Sequence, residues 1–385
     1  MEKRWLLRLG PPVVALAALG ALASVSLGAA GERWNPPDCR GSASEASAGG
    51  GAAAARVVRP AGPERLTREA WFALDPVLDA TGTLAGQRLE IGLYGARSAV
   101  LDLAPESFAA GPFGRLVLLG EDDGSASVLR TLDRAADCVR TIAREVDIIR
   151  RATLSPDGGA VYEFRVARGT RADLGVWRRP IDGGPARRVV APLAADRRFG
   201  RTFSTELSWS AEGDRLVVDS CGIESCRRRL VDPVGSTVTT VARPDLGPLV
   251  GVTRGRVISY AACPGLPCPL IAVDAGTGAS VRIADAAGLA RLVDTERGPR
   301  LVHEVSVGGR PALRTTGITG QDPEILPLPD PALHLVGTTD RTAAGTRLPL
   351  GWVVLTRDGR SPNGPGLVLI RLADGATTRL AEVVR

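Results

Sequence analysis

Lysine is almost missing from this chain: Lys3 is the only one, so 47 of the 48 basic residues are arginine. Arginine has GC-rich codons, and the 46 glycines and 28 prolines fit the same bias, so coding explains the basic balance as well as function does. Also missing is any dense basic run with interleaved aromatics, the pattern nucleic-acid binders use, and nucleic acid is therefore not an expected partner. No long amphipathic helical period follows the N-terminal region, which argues against a helical fold. Neither G-x-S-x-G nor H-E-x-x-H occurs, and His303 and His334 are the only histidines, which excludes nucleophile-elbow hydrolases and H-E-x-x-H zinc enzymes. What is present, 44% hydrophobic residues over 385 positions, is enough to fill a core and excludes wholesale disorder.

The N-terminus carries the sharpest local signal. Lys3, Arg4 and Arg8 precede an apolar run from Pro11 to Ala30, interrupted only by Ser24 and Ser26. That is the layout of an export signal, with Ala21-Leu22-Ala23 and Gly28-Ala29-Ala30 as small-residue cleavage sites. The run is also long enough to span a hydrocarbon core of roughly 30 Å, so residues 1–30 read as a cleaved signal peptide or an uncleaved membrane anchor. Either outcome sends the rest of the chain across the membrane, to be secreted or held on its outer side. Cys39 follows Pro36-Pro37-Asp38 rather than a small apolar lipobox, so lipidation is not expected. Residues 31–65 then read as a low-complexity linker, GSASEASAGGGAAAA at 41–55 having no means of burying a core.

From 66 to 385 the chain is a succession of short Val-, Ile-, Leu- and Thr-rich runs between Gly, Asp and Pro punctuation, an all-β signature. The runs are periodic. A strand ending near Asp, a Gly-containing turn and a polar strand recur at Asp182, Asp232 and Asp274, steps of 50 and 42 residues, and again at Asp374. Thr316–Leu326 fills the longer gap, Asp133 lies 49 residues upstream of Asp182, and a weaker turn stands at Gly95. Repeats of about 40–50 residues are those of four-stranded propeller blades. The expected fold is a β-propeller of six or seven blades, residues 71–104 forming a seventh or completing the last; tandem β-sandwiches are the rival arrangement.

Two stretches, LSPDGGAVYEF from Leu154 and SWSAEGDRLVVDS from Ser208, open blades in the same way. Their turns resemble those of TolB-like propellers, whose blades begin with a Ser-Pro-Asp-Gly-type reversal: Ser155, Pro156, Asp157 and Gly158 match it, and Ser210, Glu212 and Gly213 are a looser copy. Pro presets φ for the first turn position, and Asp and Gly accept the reversal. The resemblance covers about 90 residues. It implies an exported propeller that binds protein or saccharide partners, and it brings no shared catalytic residues. Ser155-x-Asp157-x-Gly159 also loosely matches the Asp box of sialidase-type propellers, itself a structural turn.

Six cysteines in an exported chain point to disulfides. Cys221 and Cys226 are five apart, as are Cys263 and Cys268, and the pairs are offset by the same 42 residues as the Asp232 and Asp274 turns. Each pair therefore closes a hairpin between the second and third strands of its own blade, leaving Cys39 and Cys138 to join the N-terminal segment to the first full blade. A four-thiolate zinc site is the competing reading; zinc prefers shorter spacings and a reducing compartment.

Candidate binding residues come from propeller geometry, which brings second-to-third-strand loops and inter-blade connections to one face. Arg165–Gly175 is a long loop of that class and RRFGRTFSTE a long connection, so Arg171, Asp173, Arg198, Phe199, Arg201 and Glu206 are expected to converge there. Trp177, Trp209 and Trp352 read as packing between blades. No catalytic residue, cofactor or metal is expected. The functional expectation is an exported, non-catalytic binding propeller of the cell envelope, with a protein or a wall polymer as partner. The alternative is a glycosidase- or lactonase-like hydrolase with its active site in the channel.

Overall fold

The computed structural model describes residues 32–33, 38 and 70–379, except 80, 82, 94–98, 104–106, 114–115, 134–137, 194–203, 222–225, 235–236, 242, 244, 264, 336–349 and 358–365. The apolar run Pro11–Ala30 and the 41–55 spacer lie outside these. Among the described residues no helix is long and apolar enough to cross a membrane.

The described chain forms seven four-stranded sheets, each made of strands adjacent in sequence. Six are wholly antiparallel and run, innermost strand first, from Phe108–Phe113 (blade 2), Ile148–Leu154 (blade 3), Ser204–Trp209 (blade 4), Leu246–Thr253 (blade 5), Ala290–Thr295 (blade 6) and Leu333–Leu335 (blade 7). Blade 1 has the antiparallel strands Ala70–Leu78, Leu84–Leu93 and Ala99–Leu103. The fold is a seven-bladed β-propeller. Residues 71–104 form a blade of their own and do not complete the last one.

The fourth strand of blade 1 is a departure from the expected layout. Glu32–Arg33 pairs in parallel with Ala99 and Val100, so the outer strand comes from upstream of the blade, out of the stretch read as a linker. Asp38 then bridges in parallel to Val139, on the outer strand of blade 2. Its neighbour Cys138 is disulfide-bonded, whereas Cys39 falls outside the described residues. The described residues of the N-terminal segment thus pair with the outer edges of two blades. A two-residue strand has no period to reveal it. The Gly95 landmark lies outside the described residues, between the second and third strands of blade 1 in sequence and not before a fourth.

The core is a series of layers between neighbouring blades. One packs Leu118 and Leu129 of blade 2 on Ala152 and Val161 of blade 3. The next sets Tyr162 and Phe164 against Leu216 and Val218. The pattern continues with Val217 against Val257, Ile258 against Leu301, and Val302 against Val353. Such burial is worth roughly 1.5–3 kcal/mol per large apolar side chain. Trp209 sits in one such layer, its ring edge-on to Tyr162 at 5.3 Å and its indole N–H donating to the Leu154 carbonyl at 2.7 Å.

The blade-opening turns are near copies. In blade 3 the Ser155 hydroxyl donates to Asp157 and accepts from the Ala160 amide, and Gly158 takes φ +69°. Fifty-five residues on, Ser210 accepts from the Arg215 amide and Gly213 takes φ +74°. The hydroxyl of Ser210, however, donates to Asp214 at 2.7 Å, not to Glu212. Glu212 leaves the turn for blade 5, accepting from Thr253 Oγ1 and the Arg254 amide.

Candidate functional site

Alternation of strand direction puts the first-to-second and third-to-fourth turns of blades 2 to 7 at one end, here the lower. The second-to-third loops and the inter-blade connections emerge at the other end, the upper. Both disulfide hairpins stand on the upper face: Cys221–Cys226 closes the loop of blade 4 and Cys263–Cys268 that of blade 5. The blade 3 loop beside them, residues 167–172, is fastened by Arg168. Its guanidinium donates to both carboxylate oxygens of Asp122 at 2.9 and 3.0 Å, to the Gly124 carbonyl and to the Val146 carbonyl. Burial by itself raises the Asp122 carboxyl, but the bonds it accepts from Arg168, the Gly124 amide and Ser127 together outweigh that and hold it below the usual range. The upper rim of blades 2 to 5 is therefore held by cross-loop bonds and by covalent clips.

The sequence-derived candidates fare differently on this rim. Arg171 is exposed at its tip with φ +57°, and no described residue engages its guanidinium. Asp173 is committed to its own backbone, accepting from the Gly175 amide at 2.6 Å and the Leu193 amide at 3.0 Å. Glu206 lies on the innermost strand of blade 4 and pairs with Arg151 on that of blade 3 at 3.1 Å. Arg198, Phe199 and Arg201 lie outside the described residues.

Sequence reasoning missed a set of charges buried between blades. Glu163 is 0% exposed and accepts from Arg165 Nε at 2.8 Å and Arg179 Nε at 2.7 Å. Both arginines also reach Glu145 on the outer strand of blade 2, and the Arg165 guanidinium lies 4.8 Å over the Trp177 ring. A second pair is Asp219 and Arg228, facing each other across adjacent strands of blade 4 with 3.1 Å between Oδ1 and Nε. Burial pushes the Asp219 carboxyl up to about 6; Arg228 opposes that shift and the Glu206 charge adds to it. The only sequence signal was a charged residue repeated at strand spacing, as in Glu163-Phe164-Arg165, which does not say whether that face meets water or a neighbouring blade.

Asp219 Oδ and the sulfurs of Cys221 and Cys226 lie within 4.8 Å of one another, but the two sulfurs are consumed by their disulfide. On the lower face a cleft of about 420 Å³ opens between blades 4 and 5, lined by Glu212, Asp214, Arg215 and Asp274 among others. Arg215 there is already within 3.4 Å of Asp232, Glu212 accepts from the Arg254 amide of blade 5, and Asp274 serves its own turn. His303 is buried against blade 5 and its pKa is lowered, chiefly by desolvation. His334 stands 3.7 Å from Glu304, whose carboxylate accepts the Leu335 amide at 2.5 Å.

No family model matches the chain, and no curated protein does. Solved structures do. The β-propeller domain of the Trilobed protease from Pyrococcus furiosus aligns with 81% of this chain and 94% of its own, at 12% identity and a TM-score of 0.53. A puromycin-hydrolysing peptidase from Mycobacterium tuberculosis aligns over 82% of this chain and 52% of its own, at 14% identity and 0.51. TolB from Acinetobacter baumannii aligns over 68% of this chain, at 12% identity and 0.43, and this chain spans 64% of that protein. The likeness is one of fold. Peptidases and a lyase share the propeller, so fold alone does not say what the chain does.

Proposed function

We propose that this protein is an exported, non-catalytic binding propeller that engages a protein partner through the upper rim of blades 3 and 4. Export is supported by the N-terminal charge-then-apolar pattern and by the cysteines, since structural disulfides persist in oxidising compartments. The observation that carries the binding reading is the contrast on the rim. Arg168 and two disulfides fix the loops, while Arg171 is left exposed and unpaired on the same surface. A loop already held in place loses little entropy on binding, and a guanidinium offers a planar multi-donor fork to a partner's carboxylates. Arg198, Phe199 and Arg201 belong to the adjoining connection in sequence and complete the proposed surface, Phe199 as an apolar anchor. Asp173 and Glu206 support it from within.

The test is a photo-crosslinker placed at Thr170 of the full chain expressed in its own cell, with and without Arg171→Ala and Arg201→Ala. The expected result is a discrete crosslinked protein lost in the double variant, whose unfolding midpoint is unchanged. Crosslinking that survives both substitutions and high salt would refute the assignment of this rim.

A further inference from the structure

The Cys221–Cys226 disulfide has a chemical setting that its counterpart lacks. The two cysteines are direct cross-strand partners at the upper end of blade 4, both half-buried. Two residues further along each strand and on the same face stand Asp219 and Arg228, 8% and 0% exposed. The Asp219 carboxylate lies within 4.8 Å of both sulfurs. Its Oδ1 accepts no hydrogen bond, and Arg228 Nη1 donates none, although Nη2 donates to the Gly247 carbonyl of blade 5. In blade 5, at the same 42-residue offset, the Cys263–Cys268 hairpin carries Ala261 and Leu270, with Tyr260 the cross-strand partner of Leu270, so no charged pair stands there. A structural clip therefore works in this fold with an apolar setting. Burying an ion pair costs desolvation that such a setting avoids.

We propose that Cys221–Cys226 is an exchange-active disulfide that accepts two electrons from a dithiol protein or peptide, with Asp219 as proton donor and Arg228 as the group that holds the departing thiolate. A thiolate of the dithiol attacks one Sγ, the S–S bond breaks, and its electron pair passes to the other Sγ. That sulfur takes the proton from Asp219. The second thiolate of the dithiol then attacks the mixed disulfide, releasing the first protein sulfur, and the partner leaves as a disulfide. The sulfur released second leaves as a thiolate and is protonated by solvent, which holds the two protons shed by the dithiol and also returns to Asp219 the one it gave. Two electrons have moved to Cys221 and Cys226.

The charged surroundings suit this step. Arg228 faces Asp219 from the third strand and Glu206 from the first, Glu206 being paired with Arg151. Leu246–Thr253, the blade 5 strand packed against them, has no titratable side chain. Glu224 of the hairpin lies outside the described residues. An adjacent guanidinium stabilises thiolate over thiol. A carboxyl with its pKa near 6 is protonated in mildly acidic solution, and above that it becomes a base for the reverse, oxidative direction.

The experiment uses the oxidised full chain and dithiothreitol as the probe. Rapid alkylation and peptide mass spectrometry follow the opening of each hairpin, with rates corrected for thiolate concentration. Access alone favours Cys263–Cys268, because Cys263 is exposed. The expected result is the reverse, with Cys221–Cys226 opening about tenfold faster or more at pH 5.5, at or below the usual range for a positioned proton donor. That advantage should fall as pH rises through about 6. Asp219→Ala with Arg228→Leu copies blade 5 and avoids a lone buried charge. It should bring the two rates together without altering the opening of Cys263–Cys268. Equal rates in the native protein, or an unchanged Cys221–Cys226 rate in the double variant, would overturn the proposal.

Discussion

Replacing Glu163 by Gln keeps its shape and removes the charge on which two buried arginines depend. Glu163 is fully buried, and Arg165 and Arg179 are each about 5% exposed, so water does not replace the lost carboxylate. A unit charge pair at about 4 Å and an effective dielectric of about 20 is worth about 4 kcal/mol, and Glu163 makes two such contacts. Against that gross loss stands the lower desolvation cost of an amide, and Glu145 remains to serve both guanidinium groups. The net expectation for breaking a buried pair from one side is about 3–5 kcal/mol. Urea unfolding at pH 7, followed by Trp177 fluorescence and by circular dichroism, measures it. The loss should barely change between 0.05 and 0.5 M salt, because buried charges escape ionic screening. Replacing Glu163, Arg165 and Arg179 together by Met should recover most of it. A loss below about 1 kcal/mol in Glu163→Gln, or a triple variant weaker than the single one, would show that the network does not bind blade 2 to blade 3 as argued.

Gly175→Ala should cost about 2–4 kcal/mol in thermal unfolding, since φ is +83° and the new methyl would overlap the Val190 carbonyl; a loss under 1 kcal/mol would contradict that close approach. Converting Cys221 and Cys226 both to Ala should lower stability by about 2 kcal/mol, the chain-entropy value for so short a loop, with the fold intact by circular dichroism. His303 has its pKa depressed by burial, so its neutral form is the one the fold accepts. Its contribution is complete above the unfolded value of about 6.5 and is lost as pH falls below it, where only the unfolded chain takes up the proton. His303→Gln should therefore lose less stability than the native protein between pH 7 and pH 5, and parallel curves would refute this.

Much of the architecture was legible because turns and cysteines recur in phase. Asp182, Asp232, Asp274 and Asp374 each accept an amide two residues on, in the third-to-fourth-strand turn of their blades. The cysteine offset of 42 placed both hairpins correctly. Legibility stopped where one element borrows from another far away. Glu32–Arg33 becomes a strand only because blade 1 leaves the edge of Ala99–Leu103 open. Glu212 occupies the turn position of an Asp yet spends its carboxylate on the next blade, while Asp214 does the turn's work. On the rim, Asp173 looked available because a sequence does not show which backbone amides lack partners; the bulge at Arg165 and Val166 is what points Gly175 N–H at it.

The same reasoning gives the arginine content a structural use beyond its coding origin. Apolar layers between blades are non-directional and do not by themselves fix how one blade is rotated on the next. Every interface from blade 2 to blade 7 adds a directional bond. Arg179 reaches Glu145, Arg229 the Ala191 carbonyl, Arg228 the Gly247 carbonyl, Tyr260 the Gly288 carbonyl, and Glu304 the Leu335 amide. Three of the five are guanidinium bonds. Arginine suits the task because its donors are spread over a rigid plane, so one head group can hold a carboxylate or carbonyl on its own blade and another across the interface. Arg179 does this, donating to Glu163 and Gly184 within blade 3 and to Glu145 of blade 2. A lysine would offer one point charge on a flexible stem and lose that angular control. A rim assembled from loops of several blades keeps a fixed shape only if the blades keep a fixed rotation, so these buried bonds underlie the surface proposed to bind.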